Sequence, residues 1–211
     1  MTGARSAHIP LWTPEQLQAS QDALLSQRAP GEDIWIYAYG SLIWRPDFQF
    51  VERRAATLVG HHRALCLWSC INRGTPEQPG LVFGLDLGGS CRGMAYRIEA
   101  SQIDNVFPRL WQREMSTGCY QPRWLRCRSE HGDIRALSFV MNRNHPGYIT
   151  GLSQEEQVSI ILNASGSCGP CSDYVLETAK ALRQANIRDA RLDQLAYRLE
   201  PALRARQALA A

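Results

Sequence analysis

Between residues 34 and 141 the chain is a series of runs rich in β-branched and aromatic residues, with one helix-like stretch among them; beyond residue 150 it reads as helix. That order constrains the fold more than any bulk property. "DIWIYAY" is a strand that ends at Gly40-Ser41, and "ERRAATLVGHHRALCLWSC" reads as two short strands around Gly60. "LVFGLDLGGSCRGMAYRI" reads as a hairpin with "DLGGS" at its turn, and "CYQPRWLRCRS" pairs with "IRALSFVMNR" across "EHGD". "NRGTPEQPG" is a loop by its Gly and Pro content. The internal helix covers 101–115: Ser101 and Asp104 form a capping box, Ile103, Val106, Leu110 and Trp111 share a face, and Pro108 kinks the helix or shifts its start.

Helices flank this region. Thr13-Pro14-Glu15-Gln16 starts one as N-cap, first-turn proline and capping glutamine, and it runs to about Arg28 before "APGED". Ser153 with Glu156 caps "SQEEQVSIILNA"; "SDYVLETAKALRQANI" and "LDQLAYRLEPALRARQALAA" follow as two more helices. Strands at short spacing with helices at both ends make an α+β domain, and such strands can close into a small barrel. Residues 1–30 read as an N-terminal helical extension and 31–211 as the domain itself.

The formal charge of +3, with 23 basic residues scattered along the chain, does not suggest a nucleic-acid surface; it suits a small acidic substrate or serves solubility alone. "MTGARSAHIPLWTPEQLQAS" lacks an apolar core of signal-peptide length, and no run of about 18 apolar residues occurs, so neither secretion nor membrane spanning is expected. The seven cysteines are odd in number and irregular in spacing, which points to reduced thiols in the cytoplasm.

Two of those cysteines lie in "SCGPCS", residues 167–172, a spacing shared with dithiol oxidoreductases. That chemistry needs a strand entering the first cysteine and a helix starting there, because the helix N-terminus lowers the thiol pKa. Here "EEQVSIILNASGS" precedes it as helix, so a turn between two helices is the stronger reading. A zinc site needs two further ligands at metal spacing, and neither Cys66 with Cys70 nor His61 with His62 supplies them. Whether Cys168 and Cys171 join under oxidation is left open.

Two other features carry candidate chemistry. In "YAYGSLIW" a strand enters a Gly-Ser turn whose backbone N–H groups could cradle an anion, although a plain turn has the same spacing. Glu114 sits at the C-terminal end of the internal helix, before Gly118. There it faces the negative end of the helix dipole, as a solvated carboxylate or as a base with a raised pKa among Trp111 and Tyr120. His61, His62, His131 and His145 fall in loops or at strand ends, with no Ser or Asp at a readable spacing.

Taken in order, "YAYGSLIWRPDF", "NRGTPEQPG", "GSCRGMAYRI", "REMSTGCY", "NHPGYITGLS" and "ILNASGSCGPCSDYVLETAKALR" resemble the ChaC family of glutathione-specific γ-glutamylcyclotransferases, over residues 34–185. The resemblance implies a γ-glutamylcyclotransferase-like fold, a small mixed β-barrel with surrounding helices. It also implies cleavage of glutathione to 5-oxoproline and cysteinylglycine without metal or cofactor. It places the catalytic glutamate at Glu114 and the substrate loop at Ile36, Tyr37, Ala38, Tyr39, Gly40, Ser41 and Leu42, with Tyr120 closing the "GCY" segment. Cys119 stands where relatives carry glycine, "PGL" ends in Leu81 where many carry arginine, and "CGPCSD" replaces "GPSGRN". Arg73, Arg113 and Arg123 are candidates to meet the substrate's carboxylates. The same fold acting on other γ-glutamyl compounds, or serving as a non-catalytic binding protein, are the alternatives.

Overall fold

The computed structural model describes residues 10–210. The first helix, α1 (Pro14–Leu25), starts as the sequence requires: Thr13 and Gln16 close a reciprocal capping box with Pro14 at the first position. The next strand, β1 (Ile34–Ala38), is made of β-branched and aromatic residues and buries nearly all of them. A single 3₁₀ turn, Ser41–Ile43, follows. Two long strands come next, β2 (Glu52–Ser69) and β3 (Gly80–Ile98), then α2 (Ile103–Met115), β4 (Tyr120–Ser129) and β5 (Gly132–Met141). The five strands form a closed barrel in the order β1-β3-β2-β4-β5. Strand β1 lies antiparallel to β3 and parallel to β5, so the barrel is mixed. Ten paired positions run from Tyr120↔Met141 to Ser129↔Gly132 in the β4–β5 hairpin.

Four sequence expectations change here. The segment around Gly60 is not two strands, and "DLGGS" is not a hairpin turn: β2 and β3 each run unbroken through these glycines. Gly60, Gly88 and Gly89 all have positive φ, so they bend continuous strands where turns were expected. The expected Ser101–Asp104 capping box does not form. A 3₁₀ turn, Ala100–Gln102, leads into α2, and its N-cap Gln102 makes no side-chain cap. Finally, His61 and His62 lie within β2 and not at a strand end.

The chain divides into two compact units: residues 10–64 with 84–145, and residues 65–83 with 146–210. In the first, α2 buries Ile103, Phe107, Leu110, Trp111 and Met115, the helical stripe that fixes its packing. Trp111 is 1% exposed, stacks on Phe107 and meets Phe139 edge-on at 5.7 Å between ring centres. Its indole N–H donates to the Ser20 hydroxyl at 2.6 Å, which ties α1 to α2. The N–H of Trp12 donates to the Ser116 carbonyl at 2.7 Å. Beside it, Gly118 has φ +67°, and a Cβ there would fall 2.4 Å from the Trp12 indole nitrogen. Only glycine satisfies both demands, so the end of α2 is set by this residue.

The second unit holds α3 (Gln154–Asn163), α4 (Cys171–Gln184) and α5 (Ala190–Ala210), with a minimal ribbon of β6 (Ser165–Gly166) and β7 (Gly169–Pro170). Helix α3 has the expected Ser153–Glu156 capping box. The "CGPC" stretch is the connection from α3 to α4, and α4 begins at Cys171, not Cys168. Cys168 is exposed, whereas Cys171 is buried; its thiol lies 3.1 Å from the Leu81 carbonyl, and both cysteines are free. Burial pushes the Cys171 thiol above its ordinary pKa, the opposite of what a redox nucleophile needs.

Candidate active site

Glu114 and Arg113 share the last turn of α2. The Glu114 side chain is 14% exposed, and its Oε1 forms an ion pair with Arg113 Nε at 3.1 Å. Burial holds its carboxyl above the ordinary value of 4.5; the Arg113 guanidinium pulls it back, and the Asp47 carboxylate pushes it up. The buried reading of Glu114 is therefore the one the structure supports. Cys119 lies close by with its thiol pushed up to about 12, first by burial and in part by Glu114, so it stays neutral.

Arg113 spends its remaining donors on the turn that follows β1. Its Nη1 donates to the Arg45 carbonyl and to Asp47 Oδ2, both at 2.7 Å, and its Nη2 to the Ser41 hydroxyl at 2.9 Å. The internal-helix glutamate and the Gly-Ser turn, separate motifs in the sequence, thus share one guanidinium. Ile43 and Trp44 close the 3₁₀ turn onto the Gly40 and Ser41 carbonyls. The N–H groups of Gly40, Ser41 and Leu42 have no acceptor among the described residues. They form the donor-rich start of a helical turn.

The other candidates divide by burial. Ile36, Tyr37 and Ala38 are fully buried in the barrel, and the Tyr37 hydroxyl donates to the Cys91 carbonyl at 2.7 Å. The Tyr39 hydroxyl donates to the Phe139 carbonyl at 2.7 Å, and its own carbonyl accepts from the buried Arg63. Only backbone is left to face a ligand at these positions. Tyr120 opens β4, opposite Met141. Arg73 is buried in the other unit, where Nη1 donates to the Pro170 carbonyl at 3.2 Å and the guanidinium covers the Tyr174 ring. Arg123 is exposed and donates to Gln121. His145 sits against the Thr117 carbonyl at 3.1 Å, with its pKa lowered by burial.

Asp47, Arg45 and Arg63 were not singled out from the sequence. Asp47 and Arg45 do lie in the quoted "YAYGSLIWRPDF", and the Arg-Pro-Asp that follows the turn is the signal that could have found them.

The model of the ChaC-like protein family matches residues 34–201. The chain belongs to that family. It is 37% identical over 186 residues to a glutathione-specific γ-glutamylcyclotransferase of Escherichia coli (strain K12), covering 88% of this chain and 80% of that protein. It is 29% identical over 176 residues to glutathione-specific γ-glutamylcyclotransferase 1 of Homo sapiens, with 79% of each covered. Among solved structures, a yeast γ-glutamyl cyclotransferase specific to glutathione superposes with a TM-score of 0.74 at 19% identity, over 80% of this chain and 96% of that one. The fold of this ChaC-like chain is therefore that of the γ-glutamyl cyclotransferases, as the resemblance of its motifs implied. No group of His, Cys, Asp or Glu suited to a metal ion occurs among the described residues. No helix among them is long and apolar enough to cross a membrane.

Proposed function

We propose that this protein is a γ-glutamylcyclotransferase that cleaves glutathione to 5-oxoproline and cysteinylglycine. One observation carries the reading: a largely buried carboxyl with raised proton affinity is wired through Arg113 to a turn with unpaired N–H groups. The names borne by the Escherichia coli and human relatives support it.

The chemistry follows from the parts. The α-amine of the γ-glutamyl group attacks its own γ-carbonyl, forming the ring C–N bond. The nucleophile is tethered, so the site's task is to hold a near-attack geometry. Glu114 takes a proton from the attacking nitrogen, and N–H groups of the Gly40–Leu42 turn receive the oxyanion. As the tetrahedral centre collapses, the bond to the cysteinyl nitrogen breaks and Glu114 returns the proton to that leaving amine. Electrons balance with no carrier, so no redox cofactor is required. Ile36, Tyr37, Ala38 and Tyr39 serve by holding the turn on the barrel, Ser41 and Leu42 by presenting it, and Tyr120 by closing the substrate side. A reduced-thiol substrate fits a cytoplasmic protein.

The test is to incubate purified protein with glutathione and measure 5-oxoproline and cysteinylglycine together. Equimolar release, lost in Glu114→Gln, is the expected result. Faster turnover of γ-glutamylalanine than of glutathione would move the assignment to other γ-glutamyl compounds, and no turnover of either would leave a binding protein.

A further inference from the structure

Arg113 makes four contacts: with Glu114, Asp47, Ser41 and the Arg45 carbonyl. A residue that only bound substrate would leave its donors free for it. This one spends them on the protein. Asp47 is unusual as well: its φ is +57°, a left-handed conformation that costs a non-glycine residue about 1 kcal/mol or more. In that conformation its carboxylate accepts from Arg45 Nε at 3.1 Å and from Arg113 at 2.7 Å. A costly backbone conformation thus places a second carboxylate on the guanidinium that touches Glu114.

We propose that Arg113 and Asp47 are a positioning pair for Glu114: Arg113 pins Oε1 and ties it to the Ser41 turn, and Asp47 shares the guanidinium so that its charge does not act on Glu114 alone. The consequence is asymmetric. With Oε1 held, Oε2 is the oxygen left to carry the proton between the attacking and leaving nitrogens. Both charged neighbours act on it with opposite sign, Arg113 favouring the ionised form and Asp47 the protonated form. The other titratable groups nearby are the neutral Cys119 thiol, Arg45 beyond Asp47, and His145 on the Thr117 carbonyl. Sequence spacing could not have shown this, because Asp47 and Arg113 are 66 residues apart.

The inference rests on Glu114 being the proton carrier, and its test separates the two claims. The pH profile of kcat/KM for 5-oxoproline release is measured for wild type, Asp47→Asn and Arg113→Met, and the Glu114 carboxyl is followed directly by ¹³C NMR with glutathione absent. Asp47→Asn leaves Arg113 unopposed and moves the acidic limb and the NMR midpoint down, by about one pH unit. Arg113→Met moves both up by a similar amount, while Arg113→Lys, which keeps the charge but loses the fork, stays near wild type in midpoint with a lower kcat. Opposite shifts are the signature, since mere structural damage would move both variants the same way. Shifts of one sign, or none, overturn the pairing. Should Arg113→Met not fold, the Asp47→Asn midpoint decides alone: downward supports the pair, unchanged or upward refutes it. A Glu114→Gln variant that keeps its activity would sink the proton-carrier reading instead, whatever the midpoints do.

Discussion

Two arginines of the same unit each sit between two carboxylates, yet Glu114 in one cluster behaves opposite to Asp33 and Glu52 in the other. Arg97 pairs with Asp33 at 2.8 Å and with Glu52 at 3.1 Å, and Arg54 adds a further contact to Glu52. Arg113 pairs with Asp47 at 2.7 Å and with Glu114 at 3.1 Å, nearly the same distances. Asp33 and Glu52 are held below their ordinary pKa values, Asp33 chiefly by the Ala100 N–H and Glu52 chiefly by Arg54. Glu114 is held above its own. The difference is water: the Asp33 and Glu52 side chains are about one-third exposed, at 32% and 31%, against 14% for Glu114. Where solvent remains, hydrogen bonds and ion pairs together govern titration; where it is removed, desolvation outweighs the partner. The Arg97 cluster also lines an open cleft of about 520 Å³ with Trp35, Trp124 and Arg135, but that cleft contains neither Glu114 nor the Ser41 turn. Its acids are already engaged, and we read it as a solvated ion-pair rim.

The largest expected effect separates the two clusters by function. Glu114→Gln should lower 5-oxoproline release by about 10²–10⁴-fold while circular dichroism stays unchanged; Glu52→Gln should leave turnover at the wild-type rate. Equal losses in both would erase the distinction. Next comes Gly118→Ala, which forces a side chain into a left-handed position against Trp12. A cost of about 2 kcal/mol in urea unfolding is expected, together with reduced kcat, because the end of α2 must shift.

A smaller effect lies in how stability depends on pH. For Asp33 and Glu52 the folded pKa is depressed, so their stabilisation is present above the ordinary carboxylate range and lost as pH falls through it. For Glu114 the folded pKa is raised: the folded state favours the proton, and its ionisation opposes folding as pH rises above 4.5. Urea midpoints between about pH 3 and pH 8 should show Glu114→Gln gaining on wild type toward neutrality, and Glu52→Gln converging with wild type toward acid. The smallest effect is expected of Cys168→Ser, which should match wild type in activity with or without reductant, since Cys171 is buried.

What could be read in the sequence was what is local. The Thr13–Gln16 and Ser153–Glu156 boxes are satisfied within four residues, so their helices start as expected. The β4–β5 hairpin turns at Glu130–His131, just before the positive-φ Gly132, for the same reason. Strand continuity through Gly60 and Gly88 was not legible, because a positive-φ glycine serves a turn and a bend equally well and only barrel closure decides. The site shows the same divide. Glu114 and the Gly-Ser turn could each be picked out, but the guanidinium joining them spans 72 residues of sequence to Ser41. Nothing local distinguishes an Arg113 that binds substrate from one that binds its neighbours.

The contact of Trp12 with the Ser116 carbonyl and Gly118 has a practical corollary. The segment before α1 touches the residues that end the Glu114 helix, so an affinity tag or fusion partner grafted there is mechanically connected to the Glu114 carboxyl. Kinetic constants measured on tagged protein would carry that imprint.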